Sequence, residues 1–404
     1  MSIFNEVAPT AGFPIPFKDL FFSKRQGNLE KYFCDYLGLE FTRVTYSGTA
    51  ALYIILEGLK SLSAKRTVVI PSYVCPLVAL AVKKSGLKVR VCDIEKDNFN
   101  FDYTCLERLC LQDNDILAVV AVHLAGIPVE LKKLSNLAGE KDFFLIEDCA
   151  QGLGAEIEGK KIGTFGDFAF FSLCRGKGLT IYEGGVIVAK NGKHFPIIDN
   201  QIKKIVRNNF FSESLKILEL IGYSIFYRKQ LFWFIFSLPQ LFWNALGKKN
   251  KAMIEDFGED FPVHGVSKFR QDIAVKQFLL LDCEISSQRE KALYYISELR
   301  GLNGLKLIGE VHDTRATFPY LALLFKDAAK RRRAFELFSG SGLGVSTIYN
   351  CPITEYDYLK GFVPEENSSN AHNIASLAIT VSTSKFLSFQ EQDEVIKKIK
   401  QALL

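Results

Sequence analysis

The sequence predicts an α/β fold, with a large domain built on a mostly parallel central sheet and a smaller C-terminal α+β domain. Three observations carry this. Between residues 46 and 190, apolar runs alternate with helical patterns and short turns. Most of those runs are hydrophobic on both faces, as strands covered by helices on both sides must be. A chain of 404 residues also exceeds what one core usually holds. The expected division is residues 1–260 for the large domain, with an aromatic-rich helical insertion at about 195–260, and 261–404 for the small one.

The strand candidates are "TVVIPSY" (67–73), "VRVCDI" (89–94), "ILAVVAVHL" (116–124), "FFLIEDC" (143–149), "DFAFFSL" (167–173) and "GGVIVAK" (184–190). Ahead of the first, Ala51, Leu52, Ile55, Leu56 and Leu59 recur at helical spacing. A second helix opens at Pro76 and stops at Gly86. Residues 195–260 break the alternation and hold both tryptophans, Trp233 and Trp243. Beyond them, "ATFPYLALLF", "GVSTIYN" and "LAITVST" read as strands, and Ser388 with Glu391 forms a capping-box pair before a last helix.

Composition excludes several classes. Hydrophobic residues at 48% and charged residues at 24% match a globular chain rather than a disordered one. A net charge of +5, with both signs interspersed, makes no case for nucleic acid but suits an anionic small molecule. Nine cysteines, odd in number and set mostly in apolar strings, read as reduced core thiols. The first residues lack a secretory pattern, so a cytoplasmic enzyme is expected. No metal-site spacing is present.

Three short stretches carry chemistry. "YSGTAAL" (46–52) sets Ser47, Gly48 and Thr49 at a helix start, where free amides and the dipole favour a phosphate; in isolation a capped helix without ligand is the better reading. "LIEDCAQGLGA" (145–155) sends Glu147 and Asp148 off a strand end, with Gln151 three residues on. A carboxylate there needs a positive partner, such as a protonated ring nitrogen, unless it merely caps a turn. "FFSLCRGKGL" (170–179) delivers Lys177 between two glycines after a buried strand, with Ser172 five residues before it. A helix-bound phosphate, a strand-end aspartate and a loop lysine are together the anchors of pyridoxal phosphate.

In these strings the chain resembles the DegT/DnrJ/EryC1/StrS sugar aminotransferases, fold-type I pyridoxal phosphate enzymes. The matching segments are "SGTAAL", "IPSY", "HLAGIPVEL", "IEDCAQGLGA", "GTFGDFAFFSL" and "KGLTIYEGG", in order over about 140 residues. The resemblance implies that Gly48, Thr49 and Ser172 hold the phosphate, Asp148 pairs with the pyridine nitrogen, Gln151 contacts the ring and Lys177 forms the Schiff base. It implies amino transfer, usually from glutamate, to a keto group of a nucleotide-linked sugar by a homodimer. Lysine at 177, where dehydratase relatives carry histidine, favours transfer. Alternatives are a different carbonyl substrate, or a non-catalytic sensor or assembly protein on the same fold.

Three departures stand out. Cys75 occupies the place of an aromatic ring over the cofactor, so stacking passes to Tyr73 or becomes a sulfur contact. Val263 and Gly265 stand where the family's Asn and Arg reach the neighbouring subunit's phosphate, leaving Lys268 or Arg270 as substitutes. The third is the insertion. Its stretch 225–251 is too interrupted to span a bilayer. It either packs on the large domain or a dimer partner, or rests on the inner membrane face through Trp233 and Trp243 with flanking lysines toward anionic lipid. His123, ending a strand, is a substrate-pocket candidate or a packing residue. "KRRR" (330–333) is expected to be a solvated helix face rather than a nucleotide clamp.

Overall fold

The computed structural model describes residues 5–21, 27–247, 257–258 and 260–404. Thirteen strands form three sheets among them: β1 (Thr42–Thr45), β2 (Thr67–Pro71), β3 (Lys88–Cys92), β4 (Ile116–Val122), β5 (Phe144–Asp148), β6 (Glu156–Ile157), β7 (Lys160–Lys161), β8 (Phe168–Ser172), β9 (Gly185–Ala189), β10 (Leu305–Ile308), β11 (Thr314–Arg315), β12 (Tyr320–Phe325) and β13 (Ala378–Ser382).

The main sheet has the order β1-β9-β8-β5-β4-β2-β3. β3, β2, β4, β5 and β8 run parallel, while β9 pairs antiparallel with both β8 and β1. Every residue of β2, β4 and β9 is buried, which is why their sequences lack polar alternation. All six expected strands of this sheet form. The short β1, with its half-exposed centre, carried no pattern strong enough to announce it.

Register aligns the chemistry on one edge. Val122 faces Asp148, Asp148 faces Phe170, Ser172 faces Gly185, and Gly185 faces Thr45. The C-terminal ends of four strands therefore converge beside Ser47, where open α/β sheets put their ligands. The helix Gly48–Leu59 starts there, capped by Ser47, whose Oγ accepts the Ala50 N–H at 3.1 Å. Gly185 is required at the contact. A Cβ on it would collide with the backbone of Ser47 and Gly48.

The C-terminal region adds the antiparallel sheet β10-β12-β13, flanked by Leu281–Leu299, Ala328–Phe338 and Phe389–Leu403. "GVSTIYN" is not a strand: Ser346 makes a single bridge to Thr380 and the rest is irregular, with Tyr349 turned to the cavity. The capping box of Ser388 and Glu391 is present. The "KRRR" stretch divides. Arg332 and Arg333 are exposed, while Arg331 donates to Ala378 O at 3.1 Å and Lys330 reaches Leu403 O.

One buried carboxylate ties the two sheets together. Asp93, 3% exposed, accepts from Ser72 Oγ at 2.7 Å and from the backbone amides of Asn370 at 2.9 Å and Ala371 at 3.2 Å. It thus caps the helix Ser369–Leu377 from across the interface. Asp93→Ala leaves these donors buried and unpaired. It is expected to cost about 3 kcal/mol, read as a lower urea midpoint at unchanged m-value.

Candidate functional site

Gly48, Thr49, Cys75, Asp148, Gln151, Ser172 and Lys177 all line one cavity of about 560 Å³ at the C-terminal edge of the main sheet. Two other hollows, of about 510 and 630 Å³, lie at the opposite edge and gather no comparable set. The Gly48 and Thr49 amides belong to the first turn of a helix and have no partner within it. Ser172 packs against Gly48, and its Oγ accepts from the Cys174 N–H at 3.4 Å, so the hydroxyl proton remains available. An anion placed there meets three donors.

Asp148 closes β5 and is 5% exposed. Burial pushes its carboxyl up to about 6, opposed by the Ala150 N–H at 2.9 Å and the nearby charge of Lys177. Such a group gains most from a cation within contact distance. Lys177 sits in the loop after β8, following Gly176 at φ 75°, a left-handed conformation that glycine adopts freely. No hydrogen bond or ion pair of its ammonium is found among the described residues. Gln151 is fixed by its carbonyl, which accepts from the Ala125 N–H at 2.9 Å and Tyr320 Oη at 2.7 Å, turning its amide donors the other way. Cys75 stands at the start of the helix Pro76–Lys84, and burial raises its thiol to about 11. It offers a neutral sulfur face.

Glu147 does not join Asp148 in the cavity. Successive strand residues face opposite ways, and Glu147 is fully buried beneath the sheet edge. It accepts from the amides of Gly163 and Phe165 at 2.8 Å and Gly166 at 2.7 Å, and contacts His123 Nε2 at 3.2 Å. Burial alone would raise its pKa, but His123 and the amides outweigh it and the net shift is downward. It holds the 163–166 loop. His123, Glu147 and Cys149 also place atoms within 4.8 Å of one another. The carboxylate oxygens are already taken and the Cys149 thiol is held neutral by burial, so they form a bracket rather than a ligand set.

Two expectations change. His123 touches the cavity wall, but both ring nitrogens are occupied: one by Glu147, the other accepting the Val129 N–H at 3.2 Å. With the residue fully buried, it serves as a packing bracket within the cavity wall. Tyr73 is absent from the cavity lining. It is 2% exposed, stacks on Phe99 and donates to Tyr349 O at 2.9 Å, so Tyr349 forms the wall in its place.

Arg270 also proves unavailable to a neighbouring subunit. It is fully buried, paired with Glu213 at 2.6 Å and bonded to the Glu183 carbonyl. Lys268 bonds Gly27 O and pairs with Asp272 at 2.8 Å. Gly265 donates to Arg207 O at 3.3 Å within its own chain. The insertion instead brings in a cation unnoticed in the sequence. Lys216, on the helix Phe210–Phe226, lines the cavity and pairs at 2.8 Å with both Glu183 and Glu219. Arg175 and Tyr182 line it too. The signal for Lys216 lay only in its spacing from Ser212, Glu213 and Glu219 along one helix face.

The sequence profile of the DegT/DnrJ/EryC1/StrS aminotransferase family matches residues 21–208 and 266–400. The unmatched stretch, 209–265, coincides with most of the insertion. UDP-4-amino-4,6-dideoxy-N-acetyl-beta-L-altrosamine transaminase of Campylobacter jejuni is 26% identical over 367 residues, covering 89% of this chain and 84% of that protein. GDP-perosamine synthase of Escherichia coli O157:H7 is 29% identical over 162 residues, 40% of this chain and 44% of that one. Among solved structures, Helicobacter pylori PseC, an aminotransferase involved in pseudoaminic acid biosynthesis, superposes with a TM-score of 0.76 at 17% identity, covering 98% of this chain and 99% of its own. A fold-type I architecture, a pyridoxal phosphate cofactor and an aminotransferase activity follow from the family. By its sequence along most of its length, the chain belongs to the DegT/DnrJ/EryC1/StrS aminotransferase family.

Proposed function

We propose that the chain transfers an amino group, from glutamate as donor, to a keto group of a nucleotide-linked sugar, with Lys177 as its catalytic residue. The observation that carries the site assignment is the single cavity holding Lys177, Asp148 and the Gly48–Thr49–Ser172 donors together. The sugar class rests on relatives such as the altrosamine transaminase and perosamine synthase. Bound pyridoxal phosphate supplies an electron sink that stabilises negative charge on the carbon losing a proton.

The chain's own residues do the rest. The amides of Gly48 and Thr49 and the Ser172 hydroxyl receive the phosphate dianion. Asp148 places a buried negative charge that keeps the ring nitrogen protonated, and Gln151 donates beside the ring. Lys177, on a glycine-flanked loop, carries the proton from one carbon to another, a task requiring an amine within contact distance. The Cys75 sulfur, with Leu52 and Phe170, walls the ring from water. Arg175 supplies a cation for an anionic substrate at the same wall. Val263 and Gly265 supply no side chain for a partner's phosphate site.

The decisive experiment is a screen of nucleotide-linked keto sugars with glutamate, product read by mass. Formation of an amino sugar from none of them, with cofactor retained, would move the reading to another carbonyl substrate. A homodimer is part of the proposal, and light scattering is expected to give twice the chain mass; a fully active monomer refutes it. All nine cysteines are free, which suits a reducing compartment. Among the described residues no helix is long and apolar enough to cross a membrane.

A further inference from the structure

The helix Phe210–Phe226 turns polar residues inward along its first half and buries Leu220 and Tyr223 in its second, yet it also carries an apolar stripe on its outer side. Ser212 meets His264 Nε2 at 3.0 Å, Glu213 pairs with Arg270, and Lys216 with Glu183 and Glu219 all face the protein. Phe211, Leu215, Leu218 and Ile225, spaced four, three and seven residues apart, face away with exposures of 75%, 44%, 63% and 38%. The helices that follow, Phe232–Ile235 and Ser237–Ala245, contact this one in series. They and the turn after them add Leu241, Phe242 and Leu246 at 57%, 57% and 54%. Part of the insertion does pack inward: Tyr227 Oη accepts from Gly12 N at 2.7 Å and donates to Thr10 O at 3.0 Å, and Phe232 is buried. Among the described residues the outer side chains stay exposed. Of 20 large apolar side chains exposed among the described residues, eleven fall within 210–246, fewer than one residue in ten of the chain, so they are concentrated in this segment.

Charge shows what covers it. Residues 200–251 hold nine Lys and Arg against two acids, Glu213 and Glu219; Lys216 and Lys229 are themselves paired, and acids border the segment at Asp199 on one side and at Glu255, Asp256, Glu259 and Asp260 on the other. The rest of the chain holds 41 basic against 43 acidic residues, so the whole positive excess resides here. Lys203, Lys204 and Arg207 are exposed just before the apolar helix, and Arg228 just after it. Lys248, Lys249 and Lys251, counted from the sequence, lie outside the described residues. A two-fold pairing of copies through this patch would bring like-charged rims together. An anionic surface neutralises them.

We infer that residues 210–246 form a docking face for an anionic lipid bilayer, on which the enzyme lies without inserting a helix. The face begins fifteen residues earlier than the stretch 225–251 suggested by sequence, because Phe211, Leu215 and Leu218 belong to it. Each basic residue near such a surface strengthens binding, and buried apolar area adds to this. The inference goes beyond the proposed reaction and stands without it.

The test needs no substrate. Trp233 and Trp243 are the chain's two tryptophans and both lie in this segment, so their emission reports on it directly. With the full chain, phosphatidylcholine vesicles containing phosphatidylglycerol are expected to shift the emission blue and to sediment the protein, less so at high salt. Leu218→Glu with Phe242→Glu is expected to weaken this at least about tenfold while the thermal transition stays in place. If that pair lowers the transition, Lys204→Gln with Arg207→Gln and Arg228→Gln is the second variant, expected to reduce binding only at low salt. No binding at low salt, or binding unchanged in both variants, overturns the inference. So does a wild-type oligomer that the double glutamate variant dissolves, since the face would then belong to a second copy.

Discussion

Lys177→Ala is expected to lower transamination by about 10³-fold or more, because it removes the amine proposed both to bond the cofactor and to move the proton. The Gly48 and Thr49 amides, Ser172 and Asp148 are untouched, so the variant should still bind pyridoxal phosphate, noncovalently and more weakly. Spectral titration with the cofactor measures this apart from turnover. In the wild-type protein, borohydride reduction followed by peptide mapping should place the cofactor on Lys177. A label on any other lysine, or an active Lys177→Ala variant, refutes the assignment. Folding is not at stake, since Lys177 is half-exposed in a loop and its neighbours Gly176 and Gly178 set the backbone.

Asp148→Asn is expected to reduce turnover by on the order of 100-fold or more while stabilising the cofactor-free protein. Both effects have one cause. In the folded, cofactor-free state burial lifts the carboxyl from 3.8 to about 6. Between those values the folded state binds more protons than the unfolded one, so stability falls as pH rises through the window and stays lower above it. The deficit at pH 7 and higher is about 3 kcal/mol as an upper figure, from roughly 1.4 kcal/mol per pH unit. Asparagine keeps the shape and the Ala150 N–H bond but carries no charge to desolvate. Its advantage should be full above pH 6 and fade as pH falls toward 4, and urea midpoints across that range check it. A variant less stable than wild type at pH 8 without cofactor would show that Asp148 serves the fold. With cofactor bound the order should reverse, because the wild-type carboxylate then faces a cation.

Much of this was legible in the residues themselves. The strands of the main sheet announced themselves because burial on both faces removes polar alternation, and the helix from Gly48 because its apolar residues repeat at helical spacing. Lys177, Asp148, Gly48, Thr49 and Ser172 were readable because each sits at a fixed offset from a strand or helix end. In an open sheet those ends must lie on one edge. The pairing of Glu147 with Asp148 misled, since adjacent residues look equivalent in sequence while a strand turns them to opposite faces. "GVSTIYN" misled for a related reason: its β-branched and aromatic residues suit a strand, yet only Ser346 finds a bridge.

The local sequence therefore determined most element types, the α/β class and which residues are proposed to anchor the cofactor, all of which depend on patterns a few residues long. Tertiary structure alone decided what joins them across distance. It spent both nitrogens of His123 on Glu147 and Val129, sent Tyr73 behind Tyr349, buried Arg270 against Glu213 and carried Lys216 into the cavity from an insertion. Each of these contacts links residues that a local pattern does not relate, and long-range geometry chooses among the many partners such side chains could take. The outward apolar stripe of Phe210–Phe226 is the sharpest case: a helical stripe read in sequence marks an interior side, but here Glu213 and Lys216, together with the buried Leu220 and Tyr223, hold another side inward, and those contacts are visible only once the chain has folded.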